Sequence, residues 1–152
     1  MVKLLSAAAA LLAAASSVAA SFQWDPQWNI SNWEAGCARS GCFYNFNVTG
    51  RADDVVPSFA AYCNGYEYRT NVTYFQPCAI YDKGDGNRGV SARFIPRKGN
   101  GILEKVAISF AYTNLTTGTV RNFTGEANIT MNQFVAPPQN YTITNIWENG
   151  LL

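Results

Sequence analysis

The 152-residue chain contains no histidine. That absence removes Ser-His-Asp triads, Cys-His dyads, histidine-ligated metals and the acid-base pairs of most secreted ribonucleases. Long apolar runs are missing after residue 20: no later stretch approaches the ~20 apolar positions that a transmembrane helix requires. Neither sign of charge dominates, so no basic stripe is available to neutralise phosphates, and nucleic acid is not an expected partner. Residues that mark helices are scarce as well.

What is present begins with a targeting signal. Lys3 gives a positive start, Leu4 to Ala15 form a short apolar run, and Val18-Ala19-Ala20 supply the small residues that a signal peptidase needs. Residues 1–20 are expected to be cleaved, leaving 21–152 as a single secreted, extracellular domain without membrane insertion. Those 132 residues carry ten basic and ten acidic side chains and suffice for one core. There is no internal repeat and no low-complexity segment beyond the signal.

Tyr, Phe, Thr, Val and Ile recur between clusters of Gly, Asn, Asp and Pro, the composition of strands separated by turns. In "FYNFNVT" Tyr44, Phe46 and Val48 share one side and Asn45 and Asn47 the other, the period of two of a half-buried strand. Val90, Ala92 and Phe94 repeat the pattern, as do Ile102, Val106, Ile108, Phe110 and Tyr112, with Lys105 and Ser109 opposite. "PRKGNG" and "NLTTG" read as turns, and Gly125 as a bend or bulge within a strand. "DKGDGNRG", residues 82–89, is the most flexible loop by composition, and residues 135–152, opening on Pro137-Pro138, read as an extended tail. The expectation is an all-β, single-domain antiparallel β-barrel or β-sandwich of about seven or eight short strands, stapled by two disulfides.

The four cysteines, Cys37, Cys42, Cys63 and Cys78, read as disulfides because the secretory path is oxidising. Cys37 and Cys42 lack a second short Cys spacing that could complete a tetrahedral zinc site. Four cysteines allow three connectivities, and their spacing does not choose between them.

The most conspicuous signal is the Asn-x-Ser/Thr triplet, which occurs at Asn29, Asn47, Asn71, Asn114, Asn122, Asn128 and Asn140. Chance predicts about two from this composition, and no middle position is Pro, so all seven are acceptable to the oligosaccharide transferase and mark positions facing solvent. About half are expected to carry sugar. A glycan on Asn47 would sit on the polar side of its strand.

Candidate chemistry is thin. Asp53-Asp54, Asp82, Asp85, Glu104 and Glu126 are the carboxylates from which a glycosidase pair could be drawn, although Asp53-Asp54 reads as turn chemistry. "DKGDGN" is rich in oxygen donors like a calcium loop, yet Arg93 stands eleven residues after Asp82, where an EF-hand places its last Glu. No cofactor and no metal is expected. Trp24, Trp28 and Trp33 fall within ten residues. Trp28 alternates with Ile30 as a core face does, while Trp24 and Trp33 are the candidate contacts for a sugar or a partner.

A secreted β chain opening on "WNISNW", with "CNGYEYRTNVTYFQPC" setting the spacing of Cys63 and Cys78 and "FTGEANIT" near the end, resembles the Alternaria major-allergen family of small secreted fungal proteins. The likeness runs over residues 28–134. It implies a compact β-barrel or paired-sheet fold without established catalytic activity, and roles at the fungus–host boundary. It also implies a Cys63–Cys78 bond, which leaves Cys37 for Cys42, a pair with no counterpart in the family. A hairpin of 43–48 with 58–62 would instead set Cys42 opposite Cys63, leaving Cys37 for Cys78.

The functional expectation is a glycosylated, non-catalytic fungal protein that acts by surface recognition, effector-like or allergen-like, with a host extracellular protein as partner. The alternative is a carbohydrate-binding module that holds cell-wall polysaccharide with exposed Trp and Tyr. A hydrolase built on paired carboxylates is a third, weaker reading.

Overall fold

A computed structural model describes residues 26–53, 56–68, 73–96, 103–131 and 137–149, with backbone alone at 96, 103 and 104. The signal segment, Trp24, Asp54, Asn71, Ile102 and most of the "PRKGNG" turn lie outside the described residues. The rest is all-β: β1 Trp28–Cys37, β2 Gly41–Gly50, β3 Phe59–Tyr68, β4 Gln76–Pro77, β5 Ala79–Ile80, β6 Arg88–Pro96, β7 Leu103–Thr113, β8 Val120–Asn128, β9 Gln139–Ile143 and β10 Ile146–Glu148. They form two antiparallel five-stranded sheets, β5-β3-β2-β1-β9 and β10-β8-β7-β6-β4, which are not closed into one barrel.

The long strands are the ones that alternation marks. Tyr44, Phe46 and Val48 of β2 face Val90, Ala92 and Phe94 of β6 and Val106, Ile108 and Phe110 of β7 across one buried core. Burying each large side chain contributes roughly 1.5–3 kcal/mol relative to leaving it exposed, which is why period-two patterning sets the facing of β2, β6 and β7.

Ten strands are described in place of seven or eight, because four short ones lie at the sheet edges where two-to-five-residue pieces carry no readable period. Residues 139–148, expected as tail, supply two of them: β9 extends the first sheet beside β1 and β10 the second beside β8. At the opposite edges β5 pairs with β3 and β4 with β6. Each edge is thus a segment that starts in one sheet and ends in the other, crossing at Cys78 on one side and at residues 144–145 on the other.

Two disulfides hold this frame, Cys37–Cys42 and Cys63–Cys78, and the described chain has no free cysteine. Cys37 and Cys42 are cross-strand partners at the end of the β1–β2 hairpin, with Cα atoms 4.0 Å apart. Cys63 of β3 fastens Cys78 at the crossover, where Cys78 N also donates to the Val90 carbonyl at 2.8 Å. The Cys42–Cys63 alternative fails on register: β3 pairs with β2 so that Cys42 meets Glu67 and Cys63 meets Phe46.

Trp33 is where the strand pattern breaks. Trp28 and Ile30 face the core, so in a regular strand Trp33 would face solvent. Instead β1 carries one extra residue, shifting register against β2 between Ser31 and Glu34 and against β9 between Ile30 and Trp33. Asn32 takes up that residue at φ 55°, a left-handed conformation that Asn tolerates better than most residues. Trp33 and Ala35 consequently turn inward beside Trp28 and Ile30, and Trp33 is 2% exposed.

Gly125 is neither bend nor bulge. It pairs in register with Ile108 and Ile146, and a Cβ there would come within 2.8 Å of Ile143 Cγ2 and 3.1 Å of Trp28 Cε3. The glycine marks a close approach of the two sheets.

Asn32→Val is expected to cost about 1–2 kcal/mol in urea unfolding, whereas Asn32→Gly stays within a few tenths, because only the β-branched side chain resists positive φ. Non-reducing peptide mapping should recover Cys37 with Cys42 and Cys63 with Cys78; a Cys42–Cys63 peptide would contradict the register.

Candidate functional site

The outer face of the first sheet divides in two. Cross-strand pairing places Thr142, Asn29, Thr49 and Ala60 in one row, and Ser31, Asn47 and Tyr62 in the next, with Asn140 beyond Ser31. This half is polar and carries three glycosylation triplets. Further along the same strands come Glu34, Asn45 and Asn64, then Gly36, Phe43 and Tyr66, then Gly41 and Tyr68. This half is aromatic, with amides between the rings.

In the aromatic half an open depression of about 500 Å³ is lined by Phe43, Asn45, Tyr62, Asn64, Tyr66 and Gln76, over a floor at Tyr44 and Gly65. Phe43, Tyr62 and Tyr66 are 42%, 40% and 39% exposed. Fixed neighbours hold the wall: Tyr66 OH shares a hydrogen with Ser40 Oγ at 2.7 Å, Tyr68 packs edge-on against Tyr66, and Asn45 Nδ2 donates to Glu34 Oε2 at 3.3 Å. Gly65 shapes the floor, because a Cβ there would lie 2.4 Å from the Tyr44 hydroxyl. Tyr44 leans beneath it and donates to the Ala92 carbonyl at 3.0 Å.

The depression reaches the edge of β3. β5 pairs only with Ala61 and Tyr62, and beyond them Gln76 Nε2 donates to the Tyr66 carbonyl at 3.0 Å, capping an otherwise open edge. The same amide lies 3.4 Å from Glu67 Oε1. Glu67 faces inward and is 6% exposed. Burial raises its pKa above the usual carboxylate value, against the smaller opposing effects of the Gln76 bond and the Arg93 charge. Tyr44 is also raised, by burial first and by the nearby Glu67 charge second.

Chemically the depression offers faces and amides. A flat molecule with one C–H face can lie on a ring while its hydroxyls bond to Asn45, Asn64 and Gln76, each amide supplying both donors and acceptors. Glu34 lies on the outer face of the sheet and Glu67 beneath it, so the two carboxylates nearest the depression do not face each other across it.

The sequence-predicted residues fall elsewhere. Trp33 is not a surface contact. It packs among Tyr44, Phe46, Phe94 and Tyr141, and its Nε1 donates to the Thr130 carbonyl at 3.1 Å. Trp28 sits edge-on to Phe59 and Phe110 in the core. Asp53 closes a turn, its Oδ1 accepting from Val56 N at 2.7 Å. Glu126 pairs with Lys105 at 3.4 Å. Asp82 is held by both terminal nitrogens of Arg88, at 2.8 and 2.9 Å. Arg88 Nε also donates to the Asp85 carbonyl at 2.8 Å, so a guanidinium organises the acidic loop that resembles a calcium site. Among the described residues no group of three or more His, Cys, Asp or Glu side chains could hold a metal ion.

Of the triplet asparagines, Asn29, Asn47 and Asn140 lie on the first sheet's outer face, Asn122 and Asn128 on β8, and Asn114 in the β7–β8 turn. Phe43, Tyr62 and Tyr66 were not anticipated. Their signal is the outward half of the same alternation, Phe43-x-Asn45-x-Asn47 and Tyr62-x-Asn64-x-Tyr66-x-Tyr68, in which aromatic residues stand where a solvated face ordinarily carries charge.

A raised folded-state pKa means that the native protein holds the Glu67 proton more tightly than the unfolded chain. Stability therefore falls as pH rises from the ordinary glutamate value of about 4.3 through the raised one. Glu67→Gln should accordingly raise Tm at pH 7 and leave it unchanged near pH 3; equal Tm values for both proteins across that range would remove burial as the cause.

Comparison with protein-family models, curated proteins and solved structures finds no match, so the chemistry of this face carries the functional reading.

Proposed function

We propose that this chain is a secreted glycoprotein that works by non-covalent recognition of carbohydrate, without catalysis of its own, using the aromatic half of the first sheet's outer face. The observation that carries this reading is the depression itself, where three half-exposed rings alternate with amide side chains on paired strands. Sugars fit that alternation because a pyranose presents an apolar face flanked by equatorial hydroxyls. The depression is shallow and open, which suits a chain segment lying across it rather than an enclosed small molecule.

Extracellular placement is supported by the two disulfides, which belong to an oxidising compartment, and by the leader-like first twenty residues. No helix among the described residues is long and apolar enough to cross a membrane. The likeness to the Alternaria major-allergen family makes chitin and β-glucan the first polysaccharides to test. A second reading, recognition of a host protein, is favoured by Tyr68 at the end of β3 and Tyr81 just after β5, both exposed at the β3 edge of the same sheet, since tyrosine is a preferred anchor of protein interfaces.

In titration calorimetry with chitohexaose and laminarihexaose, the secreted protein should bind one of the two saturably. Tyr66→Ala should weaken that binding about tenfold or more, roughly 1.4 kcal/mol, while Tyr66→Phe keeps most of it. No saturable binding to either oligosaccharide, alongside capture of a host extracellular protein that Tyr68→Ala abolishes, would move the assignment to the second reading.

A further inference from the structure

The asparagines of this chain use their amides in two distinct ways. Asn45, Asn87 and Asn149, which are not in glycosylation triplets, donate through Nδ2 to Glu34, to the Thr113 carbonyl and to Thr124 respectively. Four of the six described triplet asparagines use oxygen alone. Asn29 Oδ1 accepts from Thr142 at 3.2 Å, Asn122 Oδ1 from Ser109 at 2.8 Å, Asn114 Oδ1 from the backbone of Thr116 and Thr117, and Asn140 Oδ1 from Asn32 N at 3.2 Å. At Asn114 and Asn140 the donors are backbone N–H groups, so chemistry fixes which amide atom is oxygen. Asn47 and Asn128 make no side-chain hydrogen bond among the described residues. At all six described triplets Nδ2, the atom to which a glycan attaches, is left clear of acceptors.

Asn47 is distinctive for its neighbours. Its cross-strand partners are Ser31 on one side and Tyr62 on the other. Tyr62, 40% exposed, is also a wall of the depression. Directly opposed residues have Cβ atoms about 4.5–5.5 Å apart, so the first sugar on Asn47 is within reach of that ring. Toward Ser31 the space is contested: Asn29 lies one diagonal step away, about 7–8 Å, and Asn140 lies beyond Ser31. Sugars on Asn29 or Asn140 would crowd that side, whereas toward β3 the direct partner of Asn47 is an aromatic face.

We propose that the N-glycan of Asn47 lies over Tyr62, its first N-acetylglucosamine stacked on the ring, and closes the Asn47 end of the depression to other ligands. The tethered sugar acts as a built-in competitor: attachment gives it an effective concentration on the order of mM, enough to oppose a weakly held free oligosaccharide. Occupancy of Asn47 thereby regulates the site. The competition rests on reading the depression as a sugar site; the stacking itself needs only glycosylation and Tyr62.

The test uses the full chain secreted from a eukaryotic host. Glycopeptide mass spectrometry reads occupancy at Asn47, and NMR of the intact glycoprotein reads ring-current shifts of N-acetylglucosamine protons. Chitotriose affinity is then compared with Thr49→Ala, which removes the triplet and keeps Asn47. The expected result is an occupied Asn47, upfield-shifted sugar protons that return to ordinary positions in Tyr62→Leu, and roughly three- to tenfold tighter chitotriose binding by Thr49→Ala. An unoccupied Asn47, or sugar shifts that Tyr62→Leu does not alter, overturns the stacking. Equal chitotriose affinity with and without the Asn47 glycan overturns the competition. Shifted sugar protons in a protein that binds neither chitotriose nor laminaritriose in either form support the stacking and count against the carbohydrate-site reading, so the two failures are told apart.

Discussion

The packing of Trp33 in the core depends on one extra backbone residue. Trp28 and Ile30 already point inward, and alternation alone would send Trp33 into water. The bulge at Asn32 resets the parity of β1, so that both tryptophans fill the space between the sheets, Trp28 against Phe59 and Phe110, Trp33 against Tyr44, Phe46, Phe94 and Tyr141. Removing a ring of this size from a core costs about 3–5 kcal/mol, far more than one left-handed asparagine. The same reset turns Glu34 outward, where it holds Asn45 in the wall of the depression. The core and the candidate site are therefore two consequences of one irregularity.

The sheet edges show a second economy. An open strand edge exposes unpaired N–H and C=O groups that invite aggregation. Here two segments, β4–β5 and β9–β10, each serve as edge strand to both sheets in turn, and the Cys63–Cys78 bond fixes one crossing. Because β5 is only two residues long, the rest of β3 is left to other partners, and Gln76 serves Tyr66 in place of a strand. A side chain that caps an edge leaves more open space beside it than a strand does. That is the physical origin of the depression at this position.

Placement of the glycosylation triplets follows from geometry as well. On a strand, the Asn and the Thr or Ser of a triplet share a face by period two, and in β1, β2, β8 and β9 that face is the outward one. Of the described triplets three gather at one end of the first sheet, two lie along β8 and one in the β7–β8 turn, and the aromatic end of the first sheet holds none. Glycosylation triplets and exposed aromatic rings are thus segregated on a single surface, meeting at Asn47 and Tyr62.

The sequence alone determined the all-β class, the inward faces of β2, β6 and β7, the turn at 114–118, and an even set of cysteines suited to disulfides, because period-two burial and turn chemistry are local properties. It also marked the triplets, whose attachment chemistry needs only three residues. Cysteine pairing, the ten-strand count and the inward turn of Trp33 required tertiary structure, since each rests on register between segments distant in sequence. Gly125 shows the same limit: its composition fits a bend, and only the approach of Ile143 and Trp28 explains it. The aromatic face was half legible. Alternation exposes Phe43, Tyr62 and Tyr66 as outward residues, but that they stand side by side, with amides between them at an uncovered edge, was decided by the pairing of β2 with β3 and by the brevity of β5.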